Sequence, residues 1–180
     1  MLTPMAKYFS SEMSMRLANG AVAVLGGSGY MRDYPVERLL RDSRITTIYE
    51  GTSQLQVAAA VAGVMSGTLA EAVESILGER EWSDDLAKRV AAVRDILALC
   101  NEASTFVKGH PEGARYRDLS ARKLVDMGLV ALCGALLCDQ AATSAAKLKV
   151  LDRWLAVGRA KACALREIVL SGDTSVLEII

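Results

Sequence analysis

Proline is scarce in these 180 residues, and Pro4, Pro35 and Pro111 all fall outside the long periodic segments. Without interior breakers, helices are free to run long. Aromatic residues make up only 5% of the chain and β-branched runs are short, so strands have little material to form from. There is one histidine, His110, between Gly109 and Pro111, and no second cluster of ligand-type residues beside it. It reads as a loop residue, and no metal site is expected. Net charge is also missing, because 21 Lys and Arg balance 21 Asp and Glu, which argues against nucleic acid as the main partner. The four cysteines, Cys100, Cys133, Cys138 and Cys163, show no CxxC spacing and sit in helix-like apolar sequence. They are expected to be buried, reduced thiols. The longest uncharged apolar run, Met127 to Cys138, is too short to cross a bilayer, and Met1-Leu2-Thr3-Pro4 leads into polar sequence rather than a signal peptide. A cytoplasmic location is the expectation.

What is present is helical sequence rich in alanine and leucine, with 52% hydrophobic residues, as in an ordinary soluble protein. The pattern predicts an all-α fold, an antiparallel helical bundle with additional C-terminal helices, divided at about residues 1–66 and 67–180. A first helix should use Thr3 as N-cap and Pro4 at N1, align Phe9, Met13, Leu17, Gly20 and Val24 on one stripe, and stop at Gly26-Gly27. A shorter helix should start near Pro35, turning Val36, Leu39 and Leu40 inward, and give way near Ser43. Ile45 to Tyr49 favour an extended segment, and Gly51 permits a turn. Ser53 and Gln56 match a capping box, so a helix should run from there to about Met65, with Gly67 separating it from another over Leu69 to Leu77. Three long helices should follow, near Asp84–Val107, Arg115–Ala146 and Lys149–Ser171, the first with Leu86, Val90, Val93 and Leu97 as its apolar stripe. Trp82 and Trp154 should anchor helix ends, and the apolar tail from Val176 to Ile180 should pack.

One carboxylate stands out on chemical grounds. Glu50 follows an apolar run, precedes a glycine that lets another molecule approach the backbone, and lies just ahead of a helix N-terminus. Burial against Ile48 and Tyr49 would favour its protonated form, whereas the free amides and dipole of the helix start would favour the charged one. Either way, a carboxylate on a positioned turn can accept a proton, and the neighbouring N–H groups can stabilise a developing oxyanion. From the residues alone, helix capping or a surface role stays open beside catalysis. Arg32, Arg38, Arg41 and Arg44 could face phosphates, but Asp33, Glu37 and Asp42 lie close enough to pair with them.

Ala6-Lys7-Tyr8-Phe9-Ser10-Ser11-Glu12, Val24-Leu25-Gly26-Gly27-Ser28-Gly29-Tyr30, Tyr34-Pro35-Val36-Glu37-Arg38, Arg41-Asp42-Ser43-Arg44 and Ile48-Tyr49-Glu50-Gly51-Thr52-Ser53-Gln54 follow in that order over about a third of the chain. Together they resemble the C-terminal helical domain of the acyl-CoA dehydrogenases. The resemblance implies an oxidoreductase of fatty-acid β-oxidation, in which a glutamate removes the α-proton of an acyl-CoA thioester while FAD accepts the β-hydride. Glu50 is the matching base, and its backbone N–H would bind the thioester carbonyl. By the same resemblance, Tyr49, Glu50 and Gly51 would meet the substrate, and Thr52 and Gln54 would contact FAD. Gly26 and Gly27 would form a turn at a neighbouring subunit's cofactor. Two positions depart from the pattern: Ala23 stands where many relatives have Gln, and Val57 where many have Arg.

The family's N-terminal helical domain and middle β-domain have no counterpart in these residues, so the chain is expected to be a fragment of a longer dehydrogenase and inactive alone. Residues after Met65 resemble, in architecture and position, the extra C-terminal helices of larger members. Homo-oligomer contacts or peripheral membrane contact would suit that region, since Arg115, Arg117, Arg122 and Lys123 precede an apolar stretch. A solvated first turn on a core helix is the plainer reading. The implied partners are acyl-CoA and an electron-transfer flavoprotein or another acceptor. The alternative is a non-catalytic helical module, derived from the same family, that mediates subunit or membrane association.

Overall fold

The structure, a computed structural model, describes residues 1–78 and 81–179 and contains no strand among them. Eight helices follow one another: α1 Leu2–Leu25, α2 Gly27–Tyr30, α3 Val36–Ile45, α4 Ser53–Ser66, α5 Thr68–Leu77, α6 Asp84–Gly109, α7 Ala114–Ala141 and α8 Ala145–Leu170. A short 3-10 turn, Ser175–Glu178, comes last. The all-α expectation holds. The chain divides into two compact units, Leu2–Ala60 and Val61–Ile180 with Met1, and α4 runs across the division.

In the first unit α1 packs against α2 and α3, and α2 against α3. Gly29 makes the α1–α2 contact possible, because a Cβ there would lie 2.7 Å from the Val22 carbonyl oxygen and 2.9 Å from the Leu25 Cβ. The first helix departs from the expected stripe. It begins at Leu2, so Thr3 lies inside it rather than capping it, and its buried residues are Met5, Tyr8 and Ser11. Leu17 and Val24 are exposed. Helices of 4 and 10 residues cannot cover one of 24, so part of the apolar surface of α1 stays open. Leu39 is likewise exposed, whereas Val36 and Leu40 are half-buried.

In the second unit α7 is central and packs against α5, α6 and α8, while α6 also meets α8. Side-chain partners give the directions. Cys100 reaches Leu124 and Gly134 faces Val93, so α6 and α7 run antiparallel. Lys161 pairs with Asp126 and Trp154 donates to the Val130 carbonyl, so α7 and α8 do as well. Arg89 meets Asp152 and Arg166 meets Glu102, which makes α6 and α8 parallel. The apolar stripe Leu86, Val90, Val93 and Leu97 of α6 is buried as its spacing predicts. Trp154 stitches α8 to α7 from inside α8 rather than anchoring its end. Trp82 does stand just ahead of α6. The break between α7 and α8 falls at residues 142–144, earlier than the expected Lys147.

By length and apolarity α7 could cross a membrane, but 67% of its apolar window is buried inside the bundle. Its basic start stays at the surface: Arg115 pairs with Glu112 and Arg117 with Asp118. Cys100 and Cys138 are buried and Cys133 half-buried, but Cys163 is exposed, contrary to expectation. The expected packing of the tail also fails for Val176 and Ile179, which are both exposed, while Ile180 lies outside the described residues.

Candidate functional site

The link between α3 and α4 is built differently from the extended segment that its β-branched residues suggest. Ile45 still belongs to α3, and residues 46–50 form consecutive turns, with the Ile48 and Tyr49 amides both donating to the Ile45 carbonyl. Those amides continue the hydrogen-bonding of α3 for one more turn, which a strand without a partner could not match. Ile48 and Tyr49 are about half exposed, and Glu50 is exposed beside them. The Glu50 carboxylate makes no hydrogen bond or ion pair among the described residues. It stands open to solvent.

The backbone here is unusual. Glu50 has φ 51° and is the one non-glycine residue with positive φ among the described residues; Gly51 follows at φ 89°. The left-handed region costs an L-residue about 1–2 kcal/mol, so something must hold Glu50 there. The Gln56 amide donates to the Glu50 carbonyl at 2.9 Å, and the Lys7 ammonium donates to the Gly51 carbonyl at 2.8 Å. The Ser53 amide closes the loop on the Thr47 carbonyl at 3.0 Å. Lys7 also lies over the Tyr49 ring, 5.5 Å from its centroid.

The capping box expected at Ser53 and Gln56 is not formed. Ser53 is the first residue of α4, and its buried hydroxyl has no partner among the described residues. Thr52 caps instead, its hydroxyl accepting the Leu55 amide at 3.3 Å, which leaves the Gln56 side chain free to reach back to Glu50. Tyr49, Glu50, Gly51, Thr52 and Gln54 thus share one short segment at the start of α4, where Thr52 and Gln54 are exposed.

Gly26 and Gly27 lie elsewhere. They join α1 to α2, Gly26 with φ 59°, and both have open space where a side chain would stand. Lys7 braces the Glu50 turn, whereas Gly26 comes 19 positions later, roughly 28 Å along α1 at ~1.5 Å per residue. The Glu50 turn and the Gly26–Gly27 turn therefore lie near opposite ends of α1. Of the four arginines nearby, Arg41 is tied to Glu37 and Arg38 to Asp42, while Arg32 and Arg44 have no such pair among the described residues. The Arg41 guanidinium, by hydrogen bonding to it, holds the Glu37 carboxyl below its ordinary range.

Lys7 and Gln56 hold this turn in ways that the sequence pattern does not show. Local sequence gives Lys7 no role and makes Gln56 half of a capping box, because both acceptors are backbone carbonyls that only the folded turn presents. The second unit offers a groove of about 470 Å³ between α6 and α8, lined by Ala92, Ile96, Leu155, Ala160, Cys163 and Arg159. It brings no acid–base pair together. His110 serves structure: its Nδ1 accepts the Glu112 amide at 3.2 Å and its ring stacks on Tyr116, with centroids 3.8 Å apart.

Comparison with known proteins points to the first unit. Residues 1–65 match the family model of the acyl-CoA dehydrogenase C-terminal domain. The chain is 58% identical over 52 residues to an acyl-CoA dehydrogenase of Bacillus subtilis (strain 168), which covers 29% of this chain and 14% of that protein. It is 49% identical over 55 residues to a cyclohexane-1-carbonyl-CoA dehydrogenase of Geobacter metallireducens, covering 31% of this chain and 14% of the relative. It is 52% identical over 52 residues to a 3-(aryl)acrylate reductase of Clostridium sporogenes, covering 29% and 14%. The match thus spans about a seventh of these relatives' length. Motif order, all-α architecture and family model thus agree in making residues 1–65 similar to the C-terminal domain of the acyl-CoA dehydrogenases.

Proposed function

We propose that this chain supplies the proton-abstracting part of a flavin-dependent acyl-CoA dehydrogenase, with Glu50 as the base. The observation that carries this reading is the left-handed Glu50–Gly51 pair, which presents an exposed, unpaired carboxylate directly ahead of the α4 N-terminus. Glu50 takes the α-proton of the acyl-CoA thioester, and the electron pair left on the α-carbon delocalises into the thioester carbonyl. The Glu50 backbone N–H then donates to that carbonyl oxygen as its charge grows. Gly51 leaves room for the acyl chain, and Tyr49 borders it.

The residues present fit FAD. Thr52 and Gln54 offer exposed polar side chains at a helix start, and Gly26 and Gly27 leave open backbone where a Cβ would intrude on a ligand. Thr52 and Gln54 would hold one cofactor, and Gly26 and Gly27 would meet that of a neighbouring subunit. The chemistry FAD supplies when bound is acceptance of the hydride from the β-carbon, which leaves the α,β-double bond. The remaining domains of the dehydrogenase, which this chain would complete, bind most of the cofactor and substrate, and an electron-transfer flavoprotein or another acceptor takes the electrons onward. Exposed apolar residues on the first unit, among them Leu17, Val24, Tyr30 and Leu55, support burial against another subunit of a homo-oligomer.

The test joins this chain to the N-terminal and middle domains of the Bacillus subtilis relative and follows anaerobic bleaching of the flavin by acyl-CoA. Glu50→Gln should keep the yellow cofactor and slow its reduction by about 10²–10⁴-fold. Reduction at the parent rate would remove Glu50 from the role of base. Retention of stoichiometric FAD by the 180-residue chain alone would count against a purely non-catalytic module.

A further inference from the structure

We infer that Lys7 and Gln56 are positioning residues for the base, a two-point brace that keeps Glu50 in its left-handed conformation. The inference deepens the proposed reaction and takes its catalytic meaning from that reading, but the brace itself stands on the geometry of the chain. Two successive carbonyls, of Glu50 and Gly51, are each held by a side chain from a different helix: Gln56 of α4 at 2.9 Å and Lys7 of α1 at 2.8 Å. Both carbonyls lie on the C-terminal side of the Glu50 N–Cα bond. Rotation about that bond toward negative φ, the direction in which Glu50 would relax, carries the Gly51 carbonyl away from Lys7, rooted upstream in α1, and the Ser53 amide away from Thr47. The Gln56 bond meanwhile holds the Glu50 carbonyl to α4, so that the downstream turn moves as one piece. The brace therefore opposes the one motion that the backbone prefers.

Three further observations agree with a dedicated brace. A Cβ on Gly51 would stand 2.9 Å from the Gln56 Nε2, so a side chain at that position would push the Gln56 amide from its acceptor. The Ser53 amide, bonded to the Thr47 carbonyl, ties the far side of the turn. Lys7 is half-buried and lies over the Tyr49 ring, so its ammonium is confined from two directions. Because Lys7 acts on the Gly51 carbonyl from 44 positions away, the orientation of the Glu50 N–H and carboxylate is set by α1 as much as by the turn itself.

The experiment has two arms. In the 180-residue chain, NMR reads the three-bond HN–Hα coupling of Glu50, which reports φ, and the exchange rate of the Ser53 amide against the buried amide of Val93. Lys7→Met should shift the coupling toward negative φ and speed Ser53 exchange about tenfold, with Val93 unchanged, while Lys7→Arg, which keeps a charged donor, should stay near the parent. An unchanged coupling and unchanged Ser53 exchange in Lys7→Met overturn the brace. In the joined, FAD-loaded dehydrogenase, Lys7→Met should slow flavin reduction by about 10–100-fold with little change in KM, and Lys7→Arg should restore most of the rate. Reduction at the parent rate by Lys7→Met, where Glu50→Gln is inactive, overturns the positioning role. Should Glu50→Gln itself reduce flavin normally, the proposed base falls, and the first arm still decides the brace.

Discussion

Glu50 occupies a conformation that costs an L-residue about 1–2 kcal/mol, and two side-chain donors offset that cost. Its candidacy was legible in the sequence, because a carboxylate before a glycine and a helix start is a local pattern. Its left-handed backbone was not, since φ here is imposed by Lys7, far away in the chain. The cysteines show the same division. Cys100 is buried with its Sγ donating to the Leu124 carbonyl, and burial pushes its thiol up to about 12; half-burial pushes Cys133 to about 11. Only thiolate reacts, so alkylation at pH 8 should label exposed Cys163 first, Cys133 slowly and Cys100 only on unfolding. Peptide mass spectrometry of a time course checks the order, and early labelling of Cys100 would contradict its burial.

Helix ends in this protein are written mainly by glycine. Gly67 at φ 98° and Gly78 at φ 59° bound α5 where the sequence placed breaks, because a left-handed residue is a local demand that glycine alone meets cheaply. Glycines inside helices carry a second meaning that sequence does not separate. A Cβ on Gly158 of α8 would lie 2.5 Å from the Val130 Cγ1, whereas one on Gly20 of α1 meets nothing within 4 Å. Val130 is buried and stiff at χ1, so it cannot step aside. Gly158→Ala should therefore destabilise the protein by about 1–3 kcal/mol despite its better helix propensity, and Gly20→Ala should stabilise α1 by about 0.5–1 kcal/mol. Thermal unfolding of the two variants checks the signs, and Val130→Ala should rescue Gly158→Ala if the clash is the cause. The segment 45–50 is the element that the sequence misled: β-branched residues favour a strand only where another strand can pair with it.

At the scale of the whole molecule, two compact units share one chain, and the second is tied together by ion pairs between α6 and α8. Hydrogen bonds from Arg166 and Arg89 hold Glu102 and Asp152 below the ordinary carboxylate range. A carboxylate with a depressed folded pKa contributes its stability in full above its unfolded value, near pH 4, and loses it as pH falls through the folded one. The urea midpoint should hold from pH 7 to about 5 and decline below about pH 4, less steeply in an Arg89→Gln, Arg166→Gln double variant; circular dichroism at a series of pH values reads both. An identical slope in the double variant would mean that other carboxylates set the acid limit. The sequence by itself determined the all-α class, most helix boundaries, the base candidate and the family resemblance of the first unit, because periodicity, glycine breaks and motif order are properties of neighbouring residues. Only the tertiary structure decided that α1 would leave Leu17 and Val24 uncovered, that α7 would bury its apolar length in the bundle, and that Lys7 would brace the turn at Glu50. Those outcomes depend on which surfaces meet across tens of residues, and no local pattern encodes a neighbour that the chain has yet to fold against.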